Sequence, residues 1–198
     1  PTFNCVKANY ANTAKDDDDD SGSYKYNGVD INFKHALSYI LFNVKTAENY
    51  STTKFRLNKI TLSGVYTTGT FKQKDATDPW TEDTAGSTGT YVAFTNTPGL
   101  EFENSAIHAA AAIGKEIILL PQALNNEQQK ITVNYQISTD NGTTWIDQVQ
   151  DADLKNSTVT KWEMGKKYTY NLSIGMDEII FDPAVTYWTE TAGGDINF

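Results

Sequence analysis

Residues 131–142 read ITVNYQISTDNG, and this stretch decides the fold class. Ile131, Val133, Tyr135 and Ile137 alternate with Thr132, Asn134, Gln136 and Ser138. Successive side chains of a strand point to opposite faces, so this period predicts a half-buried β-strand. Asp140-Asn141-Gly142 follows at once. Asn and Gly tolerate the positive φ of tight hairpin turns, so the chain is expected to reverse here. Trp145, Ile146 and Val149 then supply the returning strand.

The same period recurs outward in both directions. Val29, Ile31 and Phe33 form one alternating set, and Ile40, Phe42 and Val44 another. Phe55, Leu57, Ile60 and Leu62 fit a third strand with a bulge near Asn58. Gly64 and Gly69 are expected to punctuate a hairpin around Val65 and Tyr66. Residues 73–90 are polar, hold Trp80 and predict a long loop. Tyr91 to Phe94 predicts a short strand, and Ser105 to Ile113 one short helix, with Ser105 as N-cap and Gly114 as stop. Ile117 to Leu120 is an apolar strand that Pro121 ends. Val159 and Trp162 lead to Gly165, and Tyr168, Tyr170, Leu172 and Ile174 form a clear late strand. Ile179 and Phe181 follow, then Val185 and Tyr187 beyond Pro183.

No strand–helix–strand rhythm interrupts these elements. The expected fold class is all-β: an antiparallel Greek-key β-sandwich of about seven to ten strands with one short helix. Residues 1–28 are expected to be an N-terminal connector with a mobile acidic loop at Asp16 to Asp20, and residues 29–198 the β-sandwich domain. A calcium loop would alternate its oxygen ligands around a Gly turn, and the aspartate run does neither.

The chain has 198 residues, and its 12% aromatic content is that of a folded protein. Its net charge of -9 repels phosphate backbones, so no nucleic acid partner is expected. Arg56 is the only arginine, and Cys5 the only cysteine, which rules out an intrachain disulfide. No apolar run approaches the roughly 20 residues of a membrane-spanning helix. No run reads as a signal peptide, which leaves export open for a chain that starts at Pro1.

The chemistry of catalysis is not legible. His35 and His108 are the only histidines, and neither stands in a nucleophile or metal-ligand pattern. Ser51-Thr52-Thr53-Lys54 matches S-x-x-K, but in a Thr-rich connector rather than on a helix. Asp20-Ser21-Gly22 lies in the low-complexity stretch without a second copy. No phosphate-binding glycine loop is present. The expectation is a non-enzyme without catalytic residues, cofactor or metal. Among the aromatics, Trp145 reads as a core or cross-strand residue, and Trp80 in its polar loop as a candidate glycan contact.

Four motifs carry a family resemblance. Val29-Asp30-Ile31-Asn32-Phe33-Lys34-His35-Ala36-Leu37 resembles the opening of the second domain of fimbrillin-like proteins. Leu119-Leu120-Pro121-Gln122 resembles their mid-domain LLPQ element, and Trp162 to Leu172 their W-x-x-G-K-x-Y-x-Y-x-L strand. Ile180-Phe181 and Val185 to Trp188 resemble the closing element. The resemblance implies transthyretin-like sandwiches, exported by Gram-negative anaerobes as lipoprotein precursors to the outer membrane or cell surface. It implies a fimbrium (pilus) subunit for cell adhesion, whose partners are other pilus subunits and a surface glycan or protein. Subunits of that kind join by strand addition, and the candidate donor-strand contacts are Val185, Tyr187, Ile196 and Phe198. The chain is expected to lack the family's first domain. Asp83-Thr84-Ala85 resembles the short O-glycosylation motif of such bacteria. The alternative reading is a cell-surface carbohydrate-binding module using Trp80.

Overall fold

The computed structural model describes residues 34–72, 79–102, 116–176 and 179–188, with side chains in the last group from Ala184 onward. Every regular element among them is a strand. In chain order they are β1 (Ser38–Thr46), β2 (Lys54–Tyr66), β3 (Gly69–Phe71), β4 (Trp80–Glu82), β5 (Thr88–Phe102) and β6 (Ile117–Leu119). Then come β7 (Gln122–Ala123), β8 (Lys130–Ser138), β9 (Ile146–Asp153), β10 (Lys161–Trp162), β11 (Lys166–Ile174) and β12 (Ile179–Tyr187). Five of these hold three residues or fewer, so seven longer strands carry the architecture. All belong to the compact unit His35–Phe198.

Two four-stranded sheets share one core. The first has the order β12-β11-β1-β6 and the second β5-β2-β8-β9. Alternation does the sorting. Ile40, Phe42 and Val44 of β1 and Tyr168, Tyr170, Leu172 and Ile174 of β11 turn inward from the first sheet. Phe55, Leu57, Ile60 and Leu62 of β2 and Ile131, Val133, Tyr135 and Ile137 of β8 turn inward from the second. All are 7% exposed or less. This is the β-sandwich that the sequence pattern predicts. Its longer strands pair antiparallel except β1 and β11, which run parallel from Tyr39↔Lys167 to Thr46↔Ile174. A parallel pair needs a crossover connection. Here the chain builds the second sheet between the two strands.

The expected bulge lies at Asn58, where Leu57 pairs with Tyr135 and Lys59 with Asn134. Toward β5 the irregularity is larger: Leu57 pairs with Leu100 and Lys59 with Thr95, so residues 96–99 loop out and the strand resumes. The expected short strand at Tyr91 to Phe94 is therefore part of a 15-residue strand. Nor does β2 break into a hairpin at Gly64. It runs on to Tyr66, and Gly64 sits at a register shift with φ +70°. A Cβ there would run into the Gln128 carbonyl, so the glycine allows a close backbone approach inside a strand.

The expected loop at 73–90 holds structure at its later end. Trp80 starts β4, which pairs with β3 as a small hairpin, and β5 begins at Thr88. The two segments expected on either side of Pro183 are one strand, β12. The turn at Asp140-Asn141-Gly142 forms as expected, with φ 58° at Asn141 and 90° at Gly142. The expected helix at Ser105 to Ile113, the strand at Val29 to Phe33 and the loop at Asp16 to Asp20 lie outside the described residues.

Candidate functional site

The motif from Trp162 to Leu172 is a built piece of framework. The Trp162 indole, 1% exposed, donates from Nε1 to the Tyr170 hydroxyl at 3.0 Å. That hydroxyl donates onward to the Leu154 carbonyl at 3.2 Å. The Tyr168 hydroxyl accepts from the Glu163 N–H at 2.8 Å. Burial pushes the Tyr168 phenol up to about 12 and raises Tyr170 further, so both stay protonated. Gly165, at φ +69°, donates its N–H to the Leu37 carbonyl and accepts from the Trp188 N–H, both at 3.0 Å. Burial pushes the Glu163 carboxyl up, but Lys161 at 3.3 Å and Lys166 at 3.4 Å outweigh it and hold the group below the usual range.

Trp80, the candidate glycan contact, opens β4. It is half-buried, packs against Phe71 at 5.1 Å between ring centroids, and donates its indole N–H to the Ala36 carbonyl. Trp145 is the cross-strand residue its position predicts: the Arg56 guanidinium lies 3.8 Å from its ring centroid. Asp83, Thr84 and Ala85 form an exposed turn, in which the Asp83 carboxylate accepts from the Ala85 N–H at 3.2 Å. His35 is a packed histidine, stacked on Trp188. His108, Ile196 and Phe198 lie outside the described residues.

Val185 and Tyr187 lie on β12, opposite Tyr168 and Lys166 of β11. They are 39% and 74% exposed, and Lys166 Nζ sits 4.6 Å from the Tyr187 ring centroid. β12 is an outermost strand of its sheet. Asp182 is its one charged residue. In the other sheet β5 and β9 are outermost, and β9 exposes Asp147, Asp151 and Asp153 together with Ile146 and Val149. Charge on an edge discourages pairing with another chain. On the far side of the first sheet, β6 covers only Ser38 to Ile40 of β1 among the described residues.

One feature escaped the sequence reading. Tyr39, Lys167, Thr186, Tyr187 and Trp188 line a hollow of about 540 Å³. Tyr39, Lys167 and Thr186 are a single cross-strand row, set by the β1–β11 and β11–β12 registers. Trp188 follows β12 directly; His35 stacks on it with centroids 3.6 Å apart and planes 6° apart. The Tyr39 ring lies 5.1 Å from Trp188 at 31°. Burial first, then the Glu116 carboxylate that accepts its hydroxyl, pushes the Tyr39 phenol up to about 12.

Among the described residues no cluster of side chains suits a metal ion, and no helix is long and apolar enough to cross a membrane. The described residues thus form a two-sheet β-sandwich with an aromatic hollow on one sheet. The chain belongs to the fimbrillin-like family, which matches residues 10–188. Among solved structures it resembles a fimbrial protein from Bacteroides vulgatus at 18% identity and a TM-score of 0.55, over 79% of this chain and 55% of that one. It is also similar to a candidate cell adhesion protein from Bacteroides uniformis, at 19% identity and a TM-score of 0.49, over 79% of this chain and 52% of that one. At these identities the likeness is one of fold, and the chain spans about half the length of each structure. No curated protein sequence matches it.

Proposed function

We propose that this chain is a structural or adhesive subunit of a bacterial surface fimbria. On this reading it is exported as a lipoprotein precursor and acts by binding, not by catalysis. Membership of the fimbrillin-like family is the observation that carries the reading. Subunits join by strand addition along the outer edge of β12. An added strand gains a ladder of backbone hydrogen bonds, and alternate side chains set its register. Support comes from the place of β12 at the outside of its sheet, where it presents exposed Val185 and Tyr187. The residues beyond Trp188, with Ile196 and Phe198, supply the apolar teeth of a donor segment.

The test treats the precursor with trypsin under native conditions. SDS-resistant, heat-sensitive ladders on a gel and filaments in the electron microscope are expected, and deleting the residues after Trp188 should abolish both. A trimmed protein that stays monomeric at every concentration overturns strand addition for this chain.

A further inference from the structure

We propose that the hollow of Tyr39, Lys167, Thr186 and Trp188 is a binding subsite for an acidic sugar, a saccharide carrying a carboxylate. Its volume of about 540 Å³ falls in the range of small-ligand sites, about 300–1,000 Å³. Trp188 and Tyr39 bring two ring surfaces to one place, 5.1 Å apart and tilted by 31°. The electron-rich face of such rings attracts the polarised C–H groups on the apolar face of a sugar ring. Trp188 is also held in place: His35 is stacked on it at 3.6 Å, and its backbone N–H is tied to Gly165 at 3.0 Å. A preordered ring loses little freedom on binding.

The polar groups select the charge of the occupant. Lys167 lines the hollow, and no carboxylate among the described residues forms an ion pair with it. Its neighbour Lys166 is held by Glu163 at 3.4 Å. The Glu116 carboxylate is engaged by the Tyr39 hydroxyl. Among the described residues no carboxylate lines the hollow, although the whole chain carries a net charge of -9. Lys167 thus offers up to three donors for a charge-assisted bond to a sugar carboxylate, and the Thr186 hydroxyl beside it can give or accept one more. This deepens the adhesive side of the proposed function but does not depend on how subunits join.

The experiment titrates the whole chain with sialyllactose and, as a neutral control, lactose, by calorimetry and saturation-transfer NMR. Sialyllactose is expected to bind, and lactose at least tenfold more weakly. Trp188→Ala should weaken sialyllactose binding at least tenfold. Lys167→Gln should lower sialyllactose to the level of lactose while leaving lactose unchanged. Trp80→Ala should leave binding of both sugars intact. If Trp188→Ala loses its fold by circular dichroism, Lys167→Gln and Thr186→Val decide alone. No binding of sialyllactose at millimolar concentration overturns the proposal, as does binding that Lys167→Gln does not change. Failure here leaves filament formation untouched, so the two readings fail separately.

Discussion

The Asp140 carboxylate closes the β8–β9 turn on itself. One oxygen accepts from the Ser138 hydroxyl at 2.7 Å, the Thr143 N–H at 3.0 Å and the Thr144 N–H at 2.8 Å. The other accepts from the Thr144 hydroxyl at 2.6 Å. These donors, Thr144 first, stabilise the charged form and lower the pKa from 3.8 to about 2. A carboxyl depressed on folding contributes stability above its unfolded pKa, and that contribution is lost as pH falls through the folded value. The window here runs from about pH 4 down to about pH 2. Asp140→Asn should therefore melt below the parent at pH 7, and the gap should shrink as pH falls through that window. Thermal melts followed by circular dichroism at stepped pH provide the check, and a gap that stays constant would assign the loss to something other than ionisation. The turn was legible in Asp140-Asn141-Gly142 because its φ values demand such residues. The carboxylate's four partners were not, because a sequence names a turn residue without saying where its side chain goes.

Gln122 shows what the LLPQ motif does at the scale of elements. Its amide is 2% exposed and stands where a strand partner would. Oε1 accepts from the Tyr66 N–H at 2.8 Å, and Nε2 donates to the Tyr66 carbonyl at 3.3 Å and the Leu120 carbonyl at 3.1 Å. Gln129, also 2% exposed, donates to the same Oε1 at 3.2 Å. The side chain thus caps the end of β2 with the hydrogen bonds that a backbone would otherwise supply. Gln122→Leu keeps most of the volume but strands the buried Tyr66 N–H, while the Gln129 amide keeps the Ala123 carbonyl at 3.1 Å. Leaving the Tyr66 N–H unpaired should cost about 1–3 kcal/mol, read as a melting temperature lowered by roughly 3–10 °C. A variant that melts within a degree or two of the parent would show that water satisfies this group instead. Strand existence was legible wherever alternation persisted, as in β8 and β11. It failed where the sequence carried breakers that the fold absorbs: Gly64 inside β2, Pro98 and Gly99 inside β5, and Pro183 inside β12. Pro183 is paired with Tyr170, while Gly64, Pro98 and Gly99 fall at irregularities whose flanking residues are paired. In both cases pairing with a neighbouring strand carries the strand past the breaker, and pairing is not a local property.

At the scale of the molecule, the aromatic hollow depends on a register that no window of sequence contains. Tyr39 and Lys167 meet because β1 and β11 pair parallel in the first sheet, although the chain builds the second sheet between them, and Trp188 joins them from just beyond the last strand. The same topology decides the fate of the chain's single arginine. Arg56 lies on β2, between β5 and β8, with its guanidinium 3.8 Å from the Trp145 ring centroid and 2.7 Å from the Glu101 carboxylate. Its neighbours Phe55 and Leu57 are core residues, 1% and 0% exposed. A protease must draw an extended segment into its cleft, and here that means removing a central strand from both partners and from the core. Cleavage at Arg56 should therefore require unfolding of the sandwich as a unit. An arginine-specific protease is expected to leave the native protein uncut overnight while cutting the denatured chain within minutes. In low denaturant, its rate should rise with the population of the unfolded state measured independently. Mass spectrometry of the products makes the check: native cleavage after Arg56, without loss of the circular dichroism signal, would show that β2 opens locally.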